Sequence, residues 1–158
     1  MRLLAARAGS PLRGELTPPG DKSISHRSLI FSCLASGESR VSGLLDGEDV
    51  KATAAACRQL GMDIREEGDE LVLLGVGERG LQAPAGELDM GNSGTAMRLL
   101  AGVLAAQNFD SVLIGDESLS QRPMNRIVGP LREMGARIET EEGGRPPLRI
   151  SGTSGLHG

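Results

Sequence analysis

Three short stretches carry side chains suited to holding anions. The first is GDKSISHRS at residues 20–28. A helix N-terminus offers free backbone N–H groups and a partial positive charge. Lys22 and Arg27 flank such a terminus, and together they would bind an anion, most simply a phosphate monoester. The same residues also fit a capped helix with a solvated lysine and arginine. They do not form a Walker loop, whose glycine and lysine are adjacent, because Asp21 separates Gly20 from Lys22.

The second stretch is DMGNSGTAMR at 89–98. Gly91, Gly94 and Thr95 crowd a helix start with small residues, so backbone amides can approach a ligand closely. Asn92 can cap the helix or hydrogen-bond the ligand; a plain glycine-rich turn is the alternative. The third is SLSQRPMNR at 118–126, where Pro123 restricts Arg122 to an extended backbone. Arginine suits a bidentate grip on carboxylate or phosphate, although a lone surface arginine fits as well. His26 reads as a helix-face or supporting residue, and His157 lies in the tail without a role. No His, Cys or carboxylate cluster has metal-ligand spacing, and no Ser-His-Asp set can be assembled. The acidic stretches Asp46–Asp49 and Glu139–Glu142 read as solvated turns.

These residues need elements to position them, and the chain supplies them twice. RQLGMDIREEGDELVLLGVG (58–77) parallels REMGARIETEEGGRPPLRISG (132–152): a helix end, a helix-stopping glycine (Gly61, Gly135), then two strands around an acidic turn. Upstream, HRSLIFSCLASGESRVSGLLDGED (26–49) parallels MRLLAGVLAAQNFDSVLIGDES (97–118), and Arg27 and Arg98 fall at equivalent places. Ser25 or Ser23 is expected to cap a helix that runs to about Ala35 and ends near Gly37. Asp46 or Glu48 should begin the next, with Val50, Ala54, Cys57 and Leu60 on one face. Ser93 or Asn92 should cap a helix through Ala106. Met124, Ile127, Leu131 and Met134 form the last apolar stripe, with Pro130 inside that helix. Strands are expected at 39–45, 62–66, 70–75, 111–115, 136–141 and 147–151, and one or two more within 1–19.

The composition suits one soluble domain of 158 residues with a core of Leu, Ile, Val, Met and Ala. A net charge of −4, with two Phe and no Trp or Tyr, argues against nucleic acid, since stacking platforms are missing. Cys33 and Cys57 form no CxxC and read as buried thiols of a reducing cytosol. The apolar run between Arg2 and Arg7 is too short for a signal peptide, and no stretch reaches transmembrane length.

GDKSISHRS, LDGEDV, LDMGNSGTAMR and IGDESLSQRPM followed by PLREMGA together resemble the 5-enolpyruvylshikimate-3-phosphate synthase family, over nearly the whole chain from Arg7 on. The related UDP-N-acetylglucosamine enolpyruvyl transferases share the repeat architecture but lack the Lys-Ser-x-Ser-x-Arg pattern. They remain the alternative, beside a non-catalytic phosphosugar-binding domain. The resemblance implies an α+β fold of βαβαββ repeats, the α/β prism or inside-out barrel of the enolpyruvate transferases. About two of the three units of one domain are present, near 20–80 and 81–152. Residues 1–19 would belong to the family's second domain, leaving 20–158 as an incomplete first domain.

The resemblance also implies transfer of the enolpyruvyl group of phosphoenolpyruvate to the 5-hydroxyl of shikimate 3-phosphate, without metal or organic cofactor. Lys22 matches a catalytic lysine touching both substrates. Ser23 and Arg27 match residues that hold shikimate 3-phosphate. Asn92 and Gly94 match the phosphoenolpyruvate and glyphosate site, with Thr95 behind it, and Arg122 matches an arginine gripping phosphoenolpyruvate. Arg98 matches a supporting arginine. Two positions depart from the common pattern: His26 replaces Asn, and Leu99 replaces Pro. Gly94 keeps the small residue that leaves room for glyphosate, so sensitivity to that inhibitor is expected. The full-length enzyme is expected to be cytoplasmic and monomeric, with no membrane or nucleic-acid partner. The family chain is well over twice this length, so the 158-residue chain is expected to be inactive alone, with residues 1–19 either disordered or pairing with another chain at an exposed strand edge.

Overall fold

The computed structural model describes residue 9, residues 13–153 and residues 155–158. The first helix, α1, spans Lys22–Leu34. Its cap is Asp21 rather than Ser23 or Ser25: the Asp21 carboxylate accepts from the Ile24 N–H at 2.7 Å. A carboxylate satisfies a free N–H and also meets the positive end of the helix, so it outcompetes the hydroxyls one turn later. Ser25 instead donates from Oγ to the Asp21 carbonyl at 2.7 Å and accepts from the Leu45 N–H at 2.9 Å, tying the start of α1 to a later loop.

The chain then forms β1 (Ser36–Ser42), α2 (Glu48–Gln59), β2 (Asp63–Glu67) and β3 (Glu70–Val76). These strands make one antiparallel sheet in the order β1-β3-β2. β1 starts earlier than expected because Gly37 does not end the helix. The Ala35 cap is already extended, and Gly37 pairs with Gly75 inside the sheet. Gly75 has a packing reason: a Cβ there would collide with the Ser32 and Ala35 carbonyls at the end of α1. α2 begins at Glu48, capped only by Gly47, which makes no side-chain bond. Its buried face is Val50, Thr53, Ala56 and Cys57, with Ala54 at the margin.

The second half runs β4 (Leu88–Asp89), α3 (Gly94–Ala105), β5 (Ser111–Ile114), α4 (Glu117–Ser120), α5 (Asn125–Glu133), β6 (Arg137–Glu141) and β7 (Arg145–Ser151). Its sheet has the order β4-β5-β7-β6, antiparallel except for β4 alongside β5. The order helix, strand, helix, hairpin therefore occurs twice, the second time with β4 added in front and the short α4 inserted before α5. Gly61 and Gly135 stop α2 and α5 with φ of +106° and +97°, conformations that favour glycine. The expected stripe of the last helix is shifted: Met124 and Val128 are fully buried, Ile127 and Leu131 partly, and Met134 is exposed. Residues 13–19 form no strand; the rest of the strand expected within 1–19, apart from Gly9, lies outside the described residues.

The core is aliphatic. Leu29, Leu60, Leu73, Met97, Leu100, Leu104, Leu113 and Leu148 are buried, and α1 packs against both α2 and α3. Cys33 and Cys57 are free, buried thiols. The hydrogen bond with Cys33, followed by burial, pushes the Cys57 thiol up. Among the described residues no helix is long and apolar enough to cross a membrane.

Candidate active site

The best-defined polar constellation stands at the start of α3. β4 ends when the Met90 N–H bonds the Ile114 carbonyl at 2.9 Å, beyond the β4–β5 pairing. The chain then turns at Gly91, whose φ is +52° and whose N–H is held by the Asp89 carboxylate at 2.8 Å. That turn leaves Asn92 exposed and Ser93 buried, so Ser93 caps α3 by accepting from the Ala96 N–H at 3.1 Å. Asn92 is thereby free for other contacts.

Its amide nitrogen donates to both oxygens of Asp116, at 2.8 and 3.1 Å. Its amide oxygen accepts from Arg122 Nη2 at 2.7 Å. The same guanidinium donates to Ser118 Oγ at 3.1 Å and to the Asn92 carbonyl at 3.4 Å. The loop before α5 is fixed at both ends: Arg122 N–H donates to the Leu119 carbonyl at 2.9 Å, and Met124 N–H to the Gly144 carbonyl at 2.8 Å. The Asn92 hydrogen bond, the Leu119 N–H and the nearby Arg122 charge hold the Asp116 carboxyl below the usual range.

Gly94 is the first residue of α3 and is buried. A Cβ there would stand 2.6 Å from Arg98 Nη1, 3.5 Å from Leu119 Cδ1 and 3.7 Å from Arg122 Nη1. Arg98 directs its guanidinium to the Gly94 carbonyl at 2.9 Å and the Pro123 carbonyl at 3.4 Å. Two guanidinium groups and a helix N-terminus thus surround one glycine, an arrangement that favours an anionic ligand. Thr95 is exposed beside it, and Leu99 is exposed further along α3.

The α1 residues form a second group. Lys22 opens the helix and pairs with Asp49 in the first turn of α2. Ser23 and Arg27 are exposed, and Arg27 has no ion pair or side-chain hydrogen bond among the described residues. His26 is fully buried, with Nδ1 2.7 Å from Thr53 Oγ1; its Nε2 has no partner among the described residues. Burial lowers its pKa, so the imidazole stays neutral between α1 and α2. It is a helix-face residue, out of reach of solvent.

The structure therefore joins Asn92, Gly94 and Arg122 directly, and sets Lys22, Ser23 and Arg27 on one helix start that packs against α3 through the body of α1. No hydrogen bond or ion pair between described residues links the two groups. Asp49, Asp116 and Ser118 escaped the sequence reading. Asp49 lies in a stretch read there as solvated, yet it is only 26% exposed and holds Lys22; Asp46 and Glu48, at 87% and 90%, are the solvated members. For the two aspartates, the available signal was an acid recurring after the strand that follows the first helix of each half, β1 and β5. Glu139, Glu141 and Glu142 are exposed, as read, but Glu139 and Glu141 lie in strand β6 rather than in a turn. His157 does pack: its ring lies against Gly135 at the end of α5, and its N–H donates to the Met134 carbonyl at 2.9 Å.

The family model described as EPSP synthase (3-phosphoshikimate 1-carboxyvinyltransferase) matches residues 6–158. Over 154 residues the chain is 56% identical to a 3-phosphoshikimate 1-carboxyvinyltransferase of Xanthomonas oryzae pv. oryzae and 58% identical to one of Xanthomonas campestris pv. campestris. Each alignment covers 97% of this chain and 35% of the relative. A solved structure of EPSP synthase from Acinetobacter baumannii superposes with a TM-score of 0.87 at 54% identity, covering 92% of this chain and 33% of that one. The chain spans about a third of the length of these relatives. Their fold agrees with the enolpyruvyl transferase architecture of alternating helices and sheets. The chain belongs to the EPSP synthase (3-phosphoshikimate 1-carboxyvinyltransferase) family.

Proposed function

We propose that the full-length protein carrying this chain transfers the enolpyruvyl group of phosphoenolpyruvate to the 5-hydroxyl of shikimate 3-phosphate and releases phosphate. The observation that carries this reading is the convergence of Arg122, Asn92 and Arg98 on Gly94 at the N-terminus of α3. Such a site matches the anionic phosphoenolpyruvate. Lys22, Ser23 and Arg27, at the start of α1, hold shikimate 3-phosphate, and Lys22 also reaches phosphoenolpyruvate. Fixed donors and cations of this kind stabilise developing negative charge because they need no reorganisation during reaction.

In this reading the chain is one wall of the site. Residues 1–19 belong with the second domain, 20–158 with the first, and the rest of the protein supplies the proton-transfer groups. Glyphosate competes for the Gly94 site, and the full-length enzyme acts in the cytoplasm as a monomer. The test is phosphate release by the full-length protein given both substrates, with Arg122→Ala and Arg27→Ala variants. Arg122→Ala should raise KM for phosphoenolpyruvate, and Arg27→Ala that for shikimate 3-phosphate. Absence of turnover in the full-length protein, or full turnover by the 158-residue chain alone, would contradict the reading.

A further inference from the structure

We infer that Asp116 is a positioning residue of the phosphoenolpyruvate site, fixing the Asn92 amide so that its oxygen faces Arg122. The inference rests on the function proposed above. An asparagine amide can sit either way round, with donors and acceptor exchanged. A carboxylate only accepts hydrogen bonds, and a guanidinium only donates them. Asn92 lies between one of each. With Asp116 on one side, its NH2 must point there, and Oδ1 is left for Arg122 Nη2 at 2.7 Å.

Asp116 also acts on the other anchor of Arg122. Its Oδ1 caps α4 by accepting from the Leu119 N–H at 2.7 Å, and α4 carries Ser118, whose Oγ accepts from the same Arg122 nitrogen. Its own N–H donates to the Gly91 carbonyl at 2.9 Å, which sets its distance from the Asn92 turn. One residue thus organises both side chains that hold the guanidinium. Asp116 is exposed, but its carboxylate oxygens are already engaged by the Asn92 amide and the Leu119 N–H. The first half of the chain has a counterpart, since Asp49 of α2 holds Lys22 at the start of α1.

The experiment compares Asp116→Asn, Asp116→Ala and Arg122→Ala in the full-length protein. Asparagine still caps α4 but turns an NH2 toward Asn92. The shorter bond to Oδ2 is then lost and an NH2 faces an NH2; if the Asn92 amide flips to relieve this, its donors face the donors of Arg122. Asp116→Asn should raise KM for phosphoenolpyruvate about tenfold, as expected when a polar partner is left unsatisfied. KM for shikimate 3-phosphate and the unfolding midpoint should stay close to wild type. Asp116→Ala should show the same KM change with a lower midpoint. If Arg122→Ala raises KM for phosphoenolpyruvate and Asp116→Asn does not, the positioning role is wrong while the proposed function stands. If both KM values and the midpoint deteriorate together in Asp116→Asn, the residue is merely structural and the inference fails. If Arg122→Ala leaves that KM unchanged, the function reading falls and takes the inference with it.

Discussion

Arg98 Nη1 lies 2.6 Å from the place a methyl group on Gly94 would occupy, one helical turn away on α3. The atom in the way is the tip of a flexible side chain, so Gly94→Ala should fold normally. Alanine also has the better helix propensity, by up to about 1 kcal/mol in a helix interior. The cost falls on the site instead: the methyl pushes Arg98 from the Gly94 carbonyl and narrows the space before Arg122. In the full-length protein, KM for phosphoenolpyruvate should rise and glyphosate should inhibit more weakly. Inhibition curves together with the melting temperature check this, and an unfolded variant or an unchanged glyphosate response would refute it.

Lys22 and Asp49 form a half-exposed pair, and such pairs contribute about 0.2–1 kcal/mol. Asp49→Asn should therefore change substrate affinity by less than about fivefold. On the proposed reading, Lys22→Ala would remove a charge-assisted bond to anionic substrate, worth roughly 1.5–3 kcal/mol, and should lower affinity by ten- to a hundredfold or more. Titration calorimetry with shikimate 3-phosphate on the full-length variants separates the two. Equal losses would mean that Asp49 does more than hold the lysine.

His26 makes the fold sensitive to acid. Burial lowers its pKa, whereas the unfolded chain titrates near the ordinary value of about 6.5. The unfolded state therefore binds the proton more readily. The associated stability is present above that value and is lost as pH falls toward the lower folded value. Urea midpoints of the 158-residue chain should drop as pH falls below about 6.5, and less so in His26→Asn, which does not titrate. His26→Ala also opens a cavity and leaves Thr53 with one partner fewer, at a cost of roughly 2–4 kcal/mol. A pH dependence identical in wild type and His26→Asn would show that another group is responsible.

Cys33 and Cys57 should not react with a thiol reagent in the native protein. They are 3% and 0% exposed, so a reagent in solution cannot reach either sulfur, and for Cys57 the hydrogen bond with Cys33 and burial also disfavour the reactive thiolate. Colour development should appear only in denaturant. Rapid reaction of the folded chain would mean that α1 and α2 separate easily.

Much of this architecture was legible in the chain because its signals are local. A glycine that must take positive φ, as at Gly61 and Gly135, stops a helix wherever the chain lies. Ser93 was readable as a cap for the same reason, and the doubled pattern made each half support the other. The misreadings also have local causes. Asp21 competed with Ser23 and Ser25 for one cap, and its charge decided the outcome. Gly37 looked like a helix stop but serves a sheet whose partner strand lies some forty positions away at Gly75. β4 and α4 are two and four residues long, too short for any periodicity to show.

The sequence by itself determined the succession of helices and hairpins, the apolar faces and the three polar stretches. It also carried the family pattern, because motif order and residue type are properties of the chain. Which side chains meet was decided only by the tertiary structure. Asn92 and Asp116 are 24 positions apart, and nothing between them specifies an amide facing a carboxylate. Gly91, β5 and the cap of α4 must first be placed in space. A hydrogen bond depends on separations of a few tenths of an ångström and on direction, and those are set by packing across the whole fold.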